Sequence, residues 1–449
     1  FLSKHMSEIV ETYLKNLKNI IAFKSISTDS VYSSESEKVA NALKDLFEKG
    51  SFESKILKGK TTNPYVFSYL EIDKKFKTVL IYGHYDVMPA KSDDGWVGDP
   101  FKVTLLNNRV YGRGVADNKG QFLIHVTSIL DLMKSGNLGY NIKFLLEGNE
   151  ETGNVEIADV IRKNKEMLTC DYIVISDGEM VQNRPTIEAG FRGGVNMTIS
   201  IKTADSDVHS GLYGGSVPNA VHELSVLISK FYDKNNRVAI PGFYNGVDRP
   251  TEFELKNNKS LKFGLSKLKK LTGIKEFKCE KGMDFFTQTG LRPMLTVSGF
   301  KGGYVGEGYN NIIPGSAEAK INFRFAASQN PVEIINNFKK FVRQNIPEYA
   351  QHTITCTESW PALKINTDTK IIGEIKKLLE NTYKKKVVFS FVGGSIPVIG
   401  FFRDILKSQV ISIPLANEDC NMHGVNENLK LDFVNKSLDF SRRLFSKRE

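Results

Sequence analysis

The chain has 449 residues, too many for one hydrophobic core, so two or more domains are expected. Its 41% hydrophobic and 25% charged content excludes the disordered and fibrous classes, and no apolar run nears the roughly 18 residues of a membrane span. The net charge of +10 comes from lysines spread over helical faces and loops. They form no compact basic block interleaved with aromatics, which argues against a nucleic-acid partner. The 4 cysteines, Cys170, Cys279, Cys356 and Cys420, are scattered and show no CxxC pairing, a usage that fits a reducing cytoplasm and neither a disulfide framework nor a zinc–thiolate site. A polar helical pattern follows Met6 where a secretory leader would be apolar, and Phe1–His5 reads as a remnant ahead of a natural start at Met6.

In chain order, a helical stripe over Ser7–Phe23 carries Ile9, Val10, Tyr13, Leu14, Leu17, Ile20 and Ile21. A second, over Glu37–Glu48, carries Val39, Leu43, Leu46 and Phe47. Short apolar runs at Val79–Tyr82, Ile142–Leu146 and Tyr172–Ile175 predict buried strands, separated by helical patterns over Asn118–Lys134 and Val155–Asn164. From Val195 to Ile201 the pattern changes to strict alternation, that of a half-covered strand. A helix over Pro218–Tyr232 with proline in its first turn, strands at Met294–Phe300 and Ala317–Phe325, a helix over Pro331–Asn345 and a strand at His352–Thr357 complete a β-α-β-β-α-β order. Asp233–Arg292 is a polar, lysine-rich insertion within it. After Pro361 a helix over Thr369–Tyr383, strands at Val387–Val392 and Val410–Leu415, and a helix over Asp432–Ser446 restore the first style. The expected fold is therefore α/β in two domains. Residues 1–190 and 362–449 make an α/β domain with a mostly parallel sheet, and residues 191–361 an inserted α+β domain.

Five clusters carry candidate chemistry, four of them after predicted strands, where open α/β sheets gather their ligands. In Gly83-His84-Tyr85-Asp86-Val87, a carboxylate two residues from an imidazole is placed to support it. Gly112-Arg113-Gly114-Val115-Ala116-Asp117-Asn118-Lys119-Gly120 opens a helix, and Asp117 stands where an N-cap would stand. Glu147-Gly148-Asn149-Glu150-Glu151-Thr152-Gly153 sets two carboxylates side by side, an arrangement that repels unless something positive lies near. Ser176-Asp177-Gly178-Glu179 ends another strand. Cys420-Asn421-Met422-His423-Gly424-Val425-Asn426-Glu427 follows the strand ending at Leu415, and alone His423 reads equally as loop residue or ligand. Together these are imidazoles and carboxylates suited to divalent zinc, manganese or cobalt.

These strings, with Val208-His209-Ser210-Gly211, Gly393-Gly394-Ser395-Ile396-Pro397 and the late Met422-His423-Gly424, resemble the M20 family of co-catalytic metallopeptidases, in particular its carnosine dipeptidase-like branch. The likeness runs from about Leu14 to Leu444. It implies two divalent ions, zinc foremost, with His84 and Asp177 on one, Glu151 and His423 on the other, and Asp117 bridging through a cis bond to Asn118. Asp86 would orient His84, and Glu150 would be the general base that activates a water shared by the ions. His209 would stabilise the oxyanion, from the partner subunit in dimeric relatives. Arg324, whose planar fork suits a carboxylate, Asn311, Gly394 and Ser395 would bind the substrate. The inserted domain would act as lid and dimerisation surface of a cytoplasmic homodimer. The implied activity is cleavage of dipeptides or short peptides bearing a free C-terminal carboxylate. A deacylase of N-acyl amino acids shares every metal motif; Tyr85, the Gly-Leu-Tyr-Gly-Gly run at 211–215 and the long insertion favour the dipeptidase. A non-catalytic binding protein would be expected to have lost ligands or base, and this chain keeps them all.

Overall fold

Unbroken apolar runs such as Val79–Tyr82 call for cover on both faces of a strand, whereas alternation such as Val195-Met197-Ile199-Ile201 calls for cover on one. The computed structural model contains a unit of each kind. It describes residues 4–154, 156–261, 264–357, 359–394 and 397–447. Residues 1–3 of the predicted remnant, Val155 at the head of a predicted helix and Ser395 of the predicted carboxylate-binding loop lie outside the described residues. One unit comprises Phe1–Ala189, Ile365–Ser390 and Pro397–Glu449, the other Gly190–Lys364 with Phe391–Ile396. The short stretch Phe391–Ile396, which the sequence pattern assigns to the first domain, thus belongs to the second unit.

The first unit opens with α1 (Lys4–Ile21) and α2 (Ser33–Lys49), followed by β1 (Glu53–Leu57), β2 (Tyr65–Leu70) and β3 (Thr78–His84). Then come α3 (Lys119–Lys134), β4 (Asn141–Glu147), α4 (Ile157–Lys163), β5 (Tyr172–Ile175) and β6 (Thr186–Phe191). Helix α3 is apolar nearly all round, with Phe122, Leu123, Ile124, Val126 and Ile129 all buried, as a helix enclosed by its unit must be.

The second unit contains β7 (Gly193–Lys202), α5 (Ala220–Ser229), β8 (Met294–Gly302), β9 (Ser316–Phe325), α6 (Pro331–Asn345) and β10 (Gln351–Cys356). Its sheet runs β8-β9-β7-β10, antiparallel throughout. The insertion carries helices Glu252–Ser260, Leu265–Thr272 and Phe285–Leu291. Pro218 falls outside α5, because Asn219 takes the cap and accepts the N–H groups of Val221 and His222 at 2.9 and 3.2 Å, satisfying donors left open by the first turn. Alternate residues of β7 and β9 meet Leu224, Leu227 and Phe231, and Ile334, Phe338 and Val342, in one buried cluster. Its centre is an edge-on contact of Phe323 and Phe338, ring centroids 4.8 Å apart.

The chain then returns to the first unit with α7 (Lys370–Tyr383), β11 (Gln409–Ser412) and α8 (Leu431–Phe445). The sheet order is β1-β2-β4-β3-β5-β11-β6. It is parallel in the centre, from β4 to β11, and antiparallel on both flanks. His84 pairs with Glu147, and Ile175 with both Tyr82 and Ser412, so the carboxyl ends of four strands lie side by side.

Phe338→Ala removes the ring beside Phe323 and is expected to destabilise the second unit by about 3–5 kcal/mol. The chain has 2 tryptophans, Trp96 in the first unit and Trp360 in the second. Urea unfolding followed by fluorescence in a Trp96→Phe background therefore reads the second unit alone, and an unchanged midpoint there would refute this packing account.

Candidate metal centre

Strand ends and loops bring the first unit's clusters together. His84 is the last residue of β3 and fully buried. A Cβ at Gly83 would sit 2.8 Å from Asn118 Oδ1 and 3.0 Å from Phe122 Cβ, so glycine is what allows β3 to approach the head of α3 this closely. Asn118 Nδ2 donates to the Ser176 carbonyl at 2.7 Å and joins that head to the end of β5. The helix cap is Asn118 rather than Asp117. The Asp117–Asn118 peptide is cis, and the Asp117 carboxylate turns to two imidazoles instead of the helix N–H groups.

His84 Nε2 lies 3.0 Å from Asp117 Oδ1 and 3.5 Å from Asp177 Oδ2. His423 Nε2 lies 2.8 Å from the other Asp117 oxygen, Oδ2, and 3.1 Å from Glu151 Oε2. The result is two ligand-competent groups, His84–Asp117–Asp177 and Asp117–Glu151–His423, in each of which the donor atoms lie within 4.8 Å of one another. Glu151 Oε1 is buried with no hydrogen-bond partner among the described residues, an expensive state for a carboxylate oxygen unless a cation completes it. Mixed nitrogen and oxygen donors around one shared carboxylate suit a pair of divalent ions, so these residues fit such a centre.

Behind the donors, His84 Nδ1 is 3.1 Å from the Asp86 carbonyl and 3.3 Å from its Oδ1. Asp86 in turn accepts the N–H groups of Glu150 and Glu151 at 3.2 and 3.1 Å and the Ser27 hydroxyl at 2.6 Å. One buried carboxylate thus fixes an imidazole and the loop bearing both glutamates. Burial, with the charges of Asp177, Asp117 and Asp86 adding to it and that of His84 opposing, holds the Glu150 carboxyl well above the usual range. Burial disfavours charge on His84, yet Asp117, Asp177 and Asp86 override it and raise its pKa. Hydrogen bonds to Asp117 and Glu151 push His423 up to about 10. Burial works against Asp117 too, but His423 and His84 hold its carboxyl below the ordinary range.

The other predicted residues belong to the second unit. His209 is exposed and its Nδ1 accepts the Gly211 N–H at 3.0 Å. It pairs with Ile312, and Ser210 N donates to the Asn311 carbonyl at 2.9 Å, so His209 and Asn311 are neighbours. Arg324 stacks over Trp360, its guanidinium carbon 5.2 Å from the ring centroid. Gly394 is exposed. Its neighbour Gly393 gives its carbonyl to Arg192 Nε at 3.0 Å, and Arg192 Nη1 donates to the Arg292 carbonyl at 3.1 Å. Burial, and then the charge of Arg324, lower the Arg192 pKa to about 10.

Sequence reasoning gives no role to Ser27, Arg113, Arg192 or Glu427. Arg113 and Glu427 stand inside the quoted clusters, and a carboxylate closing the His423 run was a usable signal. Ser27 and Arg192 carry none, since their partners are set by the fold.

A model of peptidase family M20/M25/M40 matches residues 80–447. The chain belongs to that family. The beta-Ala-His dipeptidase of Rattus norvegicus is 28% identical to this M20 chain over 378 residues, 82% of this chain and 76% of the relative. A Cys-Gly metallodipeptidase of Saccharomyces cerevisiae is 28% identical over 385 residues, 83% of this chain and 79% of the relative. The solved structure of an M20 family metallo-carboxypeptidase from Sulfolobus solfataricus superposes with a TM-score of 0.85 at 28% identity, covering 96% of this chain and 98% of that one.

The raised imidazole pKa values fix a sign. At neutral pH the metal-free centre carries protons on His84 and His423, and a metal must displace them. Loading metal-free protein with Zn²⁺ is therefore expected to release protons, measured as a dependence of calorimetric heat on buffer ionisation enthalpy. Apparent affinity should climb with rising pH through neutrality and on toward about 10, where His423 loses its proton; a flat affinity would contradict ligation by these imidazoles.

Proposed function

We propose that this M20-family protein hydrolyses dipeptides and short peptides that carry a free C-terminal carboxylate, using two divalent ions. The observation that carries this reading is the pair of donor groups sharing Asp117 beside a glutamate, Glu150, that belongs to neither. His84 and Asp177 would hold one ion, Glu151 and His423 the other, and Asp117 both. Zinc is the preferred metal, while manganese and cobalt accept the same donors. When bound, the ions supply Lewis acidity and lower the pKa of water.

Glu150, free of ligation, takes a proton from the attacking water and passes it to the leaving amine. Asp86 keeps His84 in place through Nδ1. His209 stabilises the oxyanion, and Arg324 receives the substrate carboxylate, with Asn311, Gly394 and Ser395 completing its contacts. The second unit serves as lid and as the surface of a cytoplasmic homodimer that supplies His209 to the neighbouring site. The peptidase relatives named above support peptide substrates over N-acyl amino acids.

Glu150→Ala is expected to lower kcat by roughly 10²–10⁴-fold while two metals remain bound. A dipeptide panel beside N-acetyl and N-succinyl amino acids separates the substrate classes, and turnover of the acylated compounds alone would transfer the chain to the deacylases. For the dimer, mixing inactive His209→Ala with inactive Glu150→Ala subunits should restore part of the activity. No recovery after confirmed subunit exchange would exclude a shared site.

A further inference from the structure

Glu427 is fully buried, and its side chain meets an ordered row of donors. Oε1 accepts the N–H groups of Gly114, Ala116 and Asp117 at 3.1, 2.8 and 2.9 Å. Oε2 accepts the Gly114 N–H at 3.0 Å and Arg113 Nη1 at 2.8 Å. The Glu427 carbonyl also accepts the Gly112 N–H at 3.1 Å. Arg113 is itself buried; its Nη2 donates to the His423 carbonyl at 3.2 Å and to that of Pro89 at 3.4 Å. A buried ion pair is weak evidence for stability, because the loss of hydration offsets much of the attraction. This pair does something more local. One arm ends on the backbone of Asp117, whose carboxylate both imidazoles share, and the other on the backbone of His423.

We infer that Glu427 and Arg113 are positioning residues that set the distance between the shared carboxylate and the His423 imidazole, and so build the second metal position, that of Glu151 and His423. The inference rests on Asp117 and His423 being ligands. Glu427→Gln separates the two arms. The amide oxygen still accepts from Gly114, Ala116 and Asp117, but the amide nitrogen turns a donor toward the Arg113 guanidinium, so the His423 arm lets go. Arg113→Lys keeps the charge and loses the fork that reaches carboxylate and carbonyl together.

The test is a Co²⁺ titration of the full-length chain, followed by visible absorption and competition with a chromogenic chelator, with kcat and KM measured on the same samples. Both variants are expected to bind the first ion as the unaltered protein does and the second about 10–100-fold more weakly. The absorption of the second ion should change and kcat should fall while KM stays near its starting value. Two ions bound at full affinity with an unchanged spectrum would overturn the inference. So would equal weakening of both ions together with a lower melting temperature of the metal-free chain, since that marks a general role in folding. Asp117→Ala and His423→Ala are measured alongside. If these still bind two ions, the ligand assignment has failed; if they lose metal while Glu427→Gln does not, only the positioning role has.

Discussion

Asp117, Asp177 and Glu151 converge on two imidazoles, the fully buried His84 and the half-exposed His423, and like charges at this spacing repel, most strongly on the buried side. The surrounding structure answers to that constraint. Parallel strands bring His84 and Asp177 out at neighbouring ends, glycine at position 83 lets the head of α3 come close, and Asp86 ties an imidazole to the glutamate loop. The carboxylates raise the pKa of both imidazoles, so protons on His84 and His423 offset part of that charge. Divalent ions held by these donors would offset it too, and would supply the Lewis acidity a hydrolysis needs.

Adjacent Glu150 and Glu151 show how the site divides labour between identical side chains. Both give their backbone N–H to Asp86, which fixes the turn, and their side chains then diverge. Glu151 Oε2 meets His423, while Glu150 stays outside both donor groups; burial raises both carboxyl pKa values, and the hydrogen bond to His423 opposes it at Glu151 alone. The difference is made by neighbours, since the two residues have the same intrinsic acidity.

Much of this was legible in the sequence because it is local. Unbroken against alternating apolar runs distinguish the two sheets, and a strand followed at once by His84, Glu147 or Asp177 marks the chemical end of the first. What stayed hidden depends on contacts across the chain. Glu427 and Arg113 are 314 residues apart, and Glu427 lies 313 to 310 residues from the loop donors Gly114 to Asp117, and nothing in either segment announces the other. The three helices of the insertion are only 9, 8 and 7 residues long, too short for their pattern to stand out within a lysine-rich stretch. Pro218 was expected inside a helix that Asn219 caps one residue later, and Asp117 was as good a cap as a ligand until the imidazoles beside it were placed. The assignment of 391–396 to the second unit follows from packing that spacing does not encode.

Strand β11 lies between β5 and β6, and His423 follows it, so the centre of the first sheet and one wall of the metal site come from the last tenth or so of the chain. During synthesis the segment from 190 to 364, all of the second unit except the short stretch 391–396, emerges while the first unit still lacks a central strand. The inserted unit is thus able to fold early from contacts of its own, whereas the host must wait for the end of translation to close its sheet, with the loop-closure penalty that such distant pairings carry. A nascent chain stalled before residue 409 would hold His84, Asp117, Glu151 and Asp177 without the imidazole of His423 that lies against Asp117 and Glu151, so the second donor group would be completed only as the end of the chain emerges.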